Sequence, residues 1–529
     1  MNLTIINFAV PKTGNFFADV ILWLCNISSS IVVGIVLFTL LLKLITLPFD
    51  YVSRASMRKN SIKMEEMRPE LERLQKQYAD NKDLYNQKMM ALYKKNGYSM
   101  FGSCLPTILT LVFFIIALNG FTVFSQYQNR QYFYEMSNAF NNVVYAGMEI
   151  DTVNEDPYIY RNKTGKIKVD VDRIWDINFG KGTNNESELV NDGTTVITAT
   201  KAIVNTETQE YKLTVKSNNS YVVYERSFNI KDDGSVFWGA ESFKISYESL
   251  MKTTLINEEN NQLKNNQGKT FNEYIDSINT AENPVLGNTE KENQAAYDFI
   301  TDIQQVMSAK KYRSQDDSRR FLWVKNVWVT DSPMSHPIES SWAKFRDTHA
   351  YPTTKANNVG AEKYKLLIGH LDTEKTAPNG YFILVVLTAG ISLLMQLVMS
   401  KSQKAQMELQ TVDGQGAQTQ KIMTVMMPIM MAIFAFMYTS AFSIYIILSN
   451  IMSMATTFGI NKIVDHKVKK EKEKEGKDNT KIRGRVYVPK EEPKQENTKD
   501  NKKKKDTSVN DGFLSGKADK NKHVRGRLK

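Results

Sequence analysis

The residue with the clearest chemical potential is Lys43, the one charge in the apolar run IVVGIVLFTLLLKLITLPF at positions 31–49. A charge near the interior of a bilayer costs at least a few kcal/mol and is usually kept for function. A fixed ammonium attracts carboxylates; alone it makes and breaks no bonds. It lies seven residues before Asp50, about 10 Å along a helix at 1.5 Å per residue. A lysine there can also snorkel toward the polar boundary and do nothing more. No nucleophile stands with a base, the five histidines are scattered, and no glycine-rich phosphate loop occurs. The chain therefore reads as a non-enzyme with no metal and no cofactor.

The elements that must position Lys43 are hydrophobic. A span needs roughly 20 apolar residues, and candidates fall at 31–49, 102–125, 381–400, 422–438 and 441–460. Lys43 is the only charged residue in the five. The last two are separated only by Thr439 and Ser440, which implies an antiparallel pair. Cys25 and Cys104 lie near the starts of different spans, which argues against a disulfide. Residues 16–24 suggest a short helix at the membrane surface, with Trp23 as an interface residue.

Charge sets the expected orientation. Residues 51–100 carry 11 Lys+Arg against 6 Asp+Glu, and the tail from His466 carries 22 against 11. Positive loops stay in the cytoplasm. Five spans then place the N-terminus and residues 126–380 outside, with the C-terminus inside. The fold class expected is an all-α polytopic membrane protein, a five-span core with a β-rich extracytoplasmic insert and a disordered basic C-terminal tail. The insert, about 250 residues long, alternates apolar and polar residues over about 151–250, as in EYKLTVK and SYVVYERSFNI, which predicts a small sandwich. ENQAAYDFITDIQQVMSAKKY predicts a helix further on. Beyond Lys467 the composition is that of a solvated polyelectrolyte.

Residues 50–101 read as a cytoplasmic helical hairpin. Pro69 is expected to open its first helix, 79–83 form the turn, and the second helix closes at Gly97. Met64, Met67, Met89, Met90 and Met100 enrich it in side chains that adapt to varied apolar partners. They either glue the hairpin together or meet clients. Helical spacing puts Thr39, Lys43, Thr46 and Asp50 on one face of the first span. Ser392, Gln396 and Ser400 make a polar stripe on the third, and Ser449, Ser453 and Thr456 one on the fifth. Converged, these stripes would enclose Lys43 in a hydrated groove; apart, they are helix-packing residues.

Several segments together resemble the YidC/Oxa/Alb family of membrane protein insertases. LLLKLITLPFDYVSRASMRKN is similar to the family's cation-bearing span and the start of its cytoplasmic hairpin. MRPELERLQKQYADNKDLYNQKMMALYKKNGYSMFGSCLP resembles that hairpin and the entry to the next span. RRFLWVKNVWVTDSP and KIMTVMMPIMMAIFAFMYTSAFSIYIILSN resemble the segment before the third span and the closing pair, with Pro428, Tyr445 and Asn450 in place. The family more often has arginine where this chain has Lys43, and the insert is unusually long; the lack of an extra N-terminal span looks more like a Gram-positive-type homologue. The resemblance implies a groove open to cytoplasm and lipid, closed outside, and lined by Lys43, Thr39, Thr46, Gln396, Ser392, Tyr445 and Asn450. It implies client or partner contact at Arg68, Pro69, Met89, Met90 and Tyr93. Nascent membrane proteins in the bacterial plasma membrane would be the clients. The basic tail would meet the ribosome by sequence-independent phosphate attraction, or anionic lipid, with the Sec translocon as a further partner; nothing points to DNA. A secondary transporter would need repeats and paired intramembrane charges, which the sequence lacks. A membrane-anchored scaffold acting through the insert is the rival.

Overall fold

The computed structural model describes residues 1–28, 30–97, 101–148, 155–162, 165–180, 182–252, 264–352, 359–408 and 415–482. Residues 1–468 form one compact unit and 469–529 a second. Two helices open the chain. The apolar α1 (Phe16–Ser28) is followed by α2 (Ile31–Gln77), a 47-residue helix that runs on from the Lys43 segment into the first arm of the hairpin. Pro48 and Pro69 both lie inside α2, so Pro69 does not begin a new helix as expected. Each proline forfeits one i→i−4 bond, but the long flanking stretches keep the helix continuous. α1 and α2 meet at Gly34, where a Cβ would stand 2.4 Å from Cys25 Sγ and 2.9 Å from its Cα. Only glycine fits that approach.

The second arm of the hairpin is α3 (Lys82–Lys95), capped by Asn81, whose side chain accepts from the Leu84 N–H. Met64, Met67, Leu71, Tyr85, Met89, Leu92 and Tyr93 are buried between the arms. Met64, Met67 and Met89 thus pack inside the hairpin. α4 (Phe101–Ala146) continues 21 residues past the expected end of the second span at 125 and carries the chain into the insert.

Among the described residues the insert forms no sandwich. A two-stranded ribbon, β1 (Ile159–Arg161) and β2 (Ile167–Val169), is followed by α5 (Val171–Ile174) and a π-helical turn at Trp175–Phe179. Next comes one antiparallel meander of five strands, β3 (Glu186–Asn191), β4 (Val196–Asn205), β5 (Glu210–Ser217), β6 (Val222–Ile230) and β7 (Val236–Ile245). Alternation along a strand reports only that one face is covered, and here helices cover it instead of a second sheet. Leu213, Val215, Tyr224 and Phe243 pack with Val144 and Tyr145 of α4. They share that core with Phe271 of α7 (Phe271–Ile278) and Phe299 and Ile303 of α8 (Thr289–Arg313), while Leu250 of α6 (Tyr247–Lys252) closes it.

The first residues of the chain are threaded into this insert. Asn2 bridges Lys244 at the edge of β7, and the Leu3 N–H donates to the Phe243 carbonyl. The Ile6 N–H donates to Asn141 Oδ1 (2.8 Å), and Asn141 Nδ2 donates back to the Ile6 carbonyl (2.7 Å). Gln304 Nε2 donates to the Thr4 carbonyl, and the Ala9 N–H donates to Tyr351 Oη. Phe8 joins an aromatic group formed by Phe133, Trp342, Phe345 and Tyr351.

Three short helices, α9 (Trp342–Thr348), α10 (Ala361–Leu367) and α11 (Asp372–Thr376), lead to α12 (Ile383–Glu408), α13 (Gln415–Met437) and α14 (Ser440–Ile482). Three described helical stretches are long and apolar enough to cross a membrane, on α2, α12 and α14; Thr424–Met437 of α13 is apolar but shorter. Phe38, Phe121, Phe114, Phe434, Phe442 and Tyr445 bind α2, α4, α13 and α14 together through ring contacts of 5.3–6.0 Å. Of the tail beyond Lys467, expected to be disordered, the stretch to Ile482 continues α14; Lys and Glu alternate at helix-compatible spacing there. The remainder of the tail lies outside the described residues.

A buried histidine in the insert gives a pH prediction. His349 stacks edge-on against Phe345 (4.8 Å) and is buried, with Arg130 and Lys344 adding repulsion, so its imidazole is pushed down to about 3. The unfolded chain protonates below 6.5 while the fold resists, so stability falls as pH drops from about 6.5 toward 3. His349→Phe should flatten this decline in acid-unfolding titrations. An unchanged profile would clear His349 of responsibility.

Candidate functional site: a polar ladder between three apolar helices

The ladder depends on where its helices begin. One buried segment, 326–332, supplies acceptors to two of those starts. Asp331 accepts from the Tyr381 and Leu384 N–H groups (2.8 and 2.6 Å) at the beginning of α12. The Val329 and Val327 carbonyls accept from the Ser440 and Ala441 N–H groups at the beginning of α14. Asn326 and Asn379, both fully buried, tie this segment to itself and to Asn129 of α4. The positive helix ends are thereby satisfied, and α12 and α14 start from one platform.

Counting from those starts places the polar side chains at matching depths. Ser392 is 9 residues into α12 and Asn450 10 into α14, about 14 and 15 Å at 1.5 Å per residue. Asn450 Nδ2 donates to Ser392 Oγ at 2.9 Å. Ser453, about 20 Å into α14 on the same count, accepts from Lys43 Nζ at 2.7 Å. The Lys43 ammonium also stands 3.9 Å from Asp50 Oδ2, with side-chain exposures of 18% and 6%. Lys43 is therefore part of a pair, where sequence spacing suggested about 10 Å of separation along the helix axis. The long lysine stem reaches toward Asp50 across the turn that contains Pro48. Gross attraction at this distance is about 4 kcal/mol at an effective dielectric of 20, before desolvation is subtracted.

The other expected groove residues take varied positions. Thr39 is buried and its hydroxyl donates to the Ile35 carbonyl; that of Thr46 donates to the Lys43 carbonyl. Both hydroxyls serve their own helix. Gln396 is half-buried and its carbonyl accepts from Ser400, which also meets Thr424 of α13 at 3.1 Å. Tyr445 is buried among Phe121 and Phe442, a position in the aromatic core. In the hairpin, Met89 and Tyr93 are buried, Tyr93 against Met64 Sδ, so they offer no surface while the arms are closed. Met90 is 50% exposed, Pro69 is exposed, and Arg68 pairs with Glu72.

Further along α2 and α14, beyond Asp50, side chains bridge the two helices again. Arg58 makes a two-pronged contact with Asp465, Nε to Oδ1 at 2.7 Å and Nη2 to Oδ2 at 3.0 Å. Lys467 Nζ donates to Tyr51 Oη at 3.1 Å. Sequence reading missed these bridges because their partners lie more than 400 positions apart. Among the described residues no cluster of His, Cys, Asp and Glu could hold a metal ion. The arrangement can bind and orient charge.

Comparison with known proteins adds the following. The family described as "60Kd inner membrane protein" matches residues 23–159 and 302–469, more than half of the chain. The sheet of the insert falls between the matched stretches. Proteins called "Membrane protein insertase YidC" from Francisella tularensis subsp. novicida (strain U112) and subsp. tularensis (strain WY96-3418) are each 35% identical over 105 residues. That stretch is 19% of this chain and 18% of each relative's length. No solved structure matches.

The Arg58–Asp465 bridge is partly exposed, so screening limits its strength. A double-mutant cycle on Arg58→Ala and Asp465→Ala, read as thermal midpoints in detergent, should give a coupling of at most about 1 kcal/mol. A coupling of several kcal/mol would mean that the pair is dry and structural.

Proposed function

Since the chain belongs to the YidC/Oxa/Alb family, we propose that it is a membrane protein insertase and chaperone of the bacterial plasma membrane. It draws polar segments of nascent clients partway into the space between α2, α12 and α14 and releases their apolar segments into lipid, alone or beside the Sec translocon. The observation that carries this reading is Lys43, an ammonium within the apolar run of α2 held by Ser453 of α14 and by Asp50. An acidic client segment is attracted there more strongly than in bulk water because the surroundings are of low dielectric. Partial entry lowers the desolvation cost of the polar segment. The client's apolar segment then moves into the bilayer, gaining roughly 0.8 kcal/mol per buried CH₂. No nucleotide is required for a process driven by that burial.

The platform at 326–332 supports a groove closed at the end where α12 and α14 begin. The positive loops support placing that end outside and the hairpin inside. The basic tail is proposed to meet the ribosome, and co-sedimentation that weakens with salt would be its signature. The rival role, a scaffold working through the insert, requires loss of the sheet to abolish function while Lys43 is dispensable.

Reconstituted protein in liposomes, given a small client with an acidic translocated tail, tests the reading. Lys43→Ala should reduce insertion about tenfold, the equivalent of about 1.4 kcal/mol, while Lys43→Arg retains most of it. Wild-type insertion by Lys43→Ala would remove the electrostatic mechanism.

A further inference from the structure

We propose that Asp50 is the resident counter-anion of Lys43, and that a client carboxylate must displace it to gain the cation. This rests on the insertase reading and assigns it a selectivity element. Ser453 and Asp50 hold Lys43 Nζ differently. Ser453 Oγ is at 2.7 Å, a good hydrogen bond, whereas Asp50 Oδ2 is at 3.9 Å, inside ion-pair range but too far for a hydrogen bond. The attraction to Asp50 is thus Coulombic and open to replacement by an anion that comes closer. A client carboxylate that reaches hydrogen-bonding distance gains the directional bond that Asp50 lacks.

Burial explains why a counter-anion is needed at all. Asp50 is 6% exposed and Lys43 18%, and an unpaired ion in either place would be costly to desolvate. Together the two side chains carry no net charge. Displacement changes that balance. Once a client carboxylate sits on Lys43, Asp50, two helical turns further along α2 toward the hairpin, loses the compensation Lys43 gave it. A basic residue trailing the client's acidic segment is the group that restores neutrality. The pair therefore reads charge order along the client, acidic residue first and basic residue behind it. A client offering a single weakly placed carboxylate competes poorly with the resident one.

The test is liposome insertion of a client series carrying zero, one, two or three tail carboxylates. Wild type should show a threshold, with the one-carboxylate client several-fold below the three-carboxylate client. Asp50→Asn should raise the one-carboxylate client to near the three-carboxylate level. Asp50→Glu keeps the charge and brings it nearer to Lys43, so it should move the threshold the other way. Thermal midpoints in detergent report whether each variant is folded, and opposite shifts from two folded variants cannot come from general damage. If Lys43→Ala flattens the series while both Asp50 variants match wild type, the counter-anion role is overturned and the insertase reading stands. If Lys43→Ala itself matches wild type, the electrostatic reading fails, and the Asp50 role with it.

Discussion

Two of the membrane-length helices depend on one requirement, that the first-turn N–H groups of α12 and α14 find acceptors. The segment 326–332 meets it for both, with the Asp331 carboxylate on one helix and the Val327 and Val329 carbonyls on the other. A buried orphaned donor costs of order 1–3 kcal/mol, so the two helix starts are held in common. From a common start, equal residue counts mean equal depth. That is why Ser392 meets Asn450 and why Ser453 lies at the level Lys43 can reach. The electrostatics of the site are a consequence of how the helix ends are capped.

Much of this could be read from the sequence, for identifiable reasons. Apolar runs marked the spans because hydrocarbon thickness sets a minimum length, and helical spacing put Thr39, Lys43, Thr46 and Asp50 on one face. What spacing could not give was side-chain reach. The Lys43–Asp50 pair forms because a lysine stem extends along the helix, so distance between Cα positions misjudged the distance between charges. Alternation in the insert correctly marked strands and wrongly suggested a second sheet, since a covered face looks the same whether α8 or another sheet covers it. The capping asparagines and Asp331 were invisible as a group, since Asn129, Asn326 and Asn379 are joined only by the fold. The hairpin methionines illustrate the opposite case. Their number was plain, but whether Met89 faced inward or outward depended on the register of α3 against α2.

The insert and the bundle are joined by continuous helix and by shared core. α4 passes from the aromatic contacts around Phe121 to the sheet contacts at Val144 and Tyr145 without a break. A helix of 46 residues is about 69 Å long, so it acts as a strut between the two. The family match stops short of the sheet, whereas the sheet's packing partners on α4 lie within it.

The threading of residues 2–9 through the insert bears on the order in which the fold can close. Their partners at Asn141, Gln304 and Tyr351 lie 135, 300 and 342 positions further along the chain. Loop closure over such separations is slow. Until the region around Tyr351 is in place, segment 2–9 has only part of its binding site. Its seat is built from pieces that are far apart in sequence, so it fills only when the rest of the insert has come together.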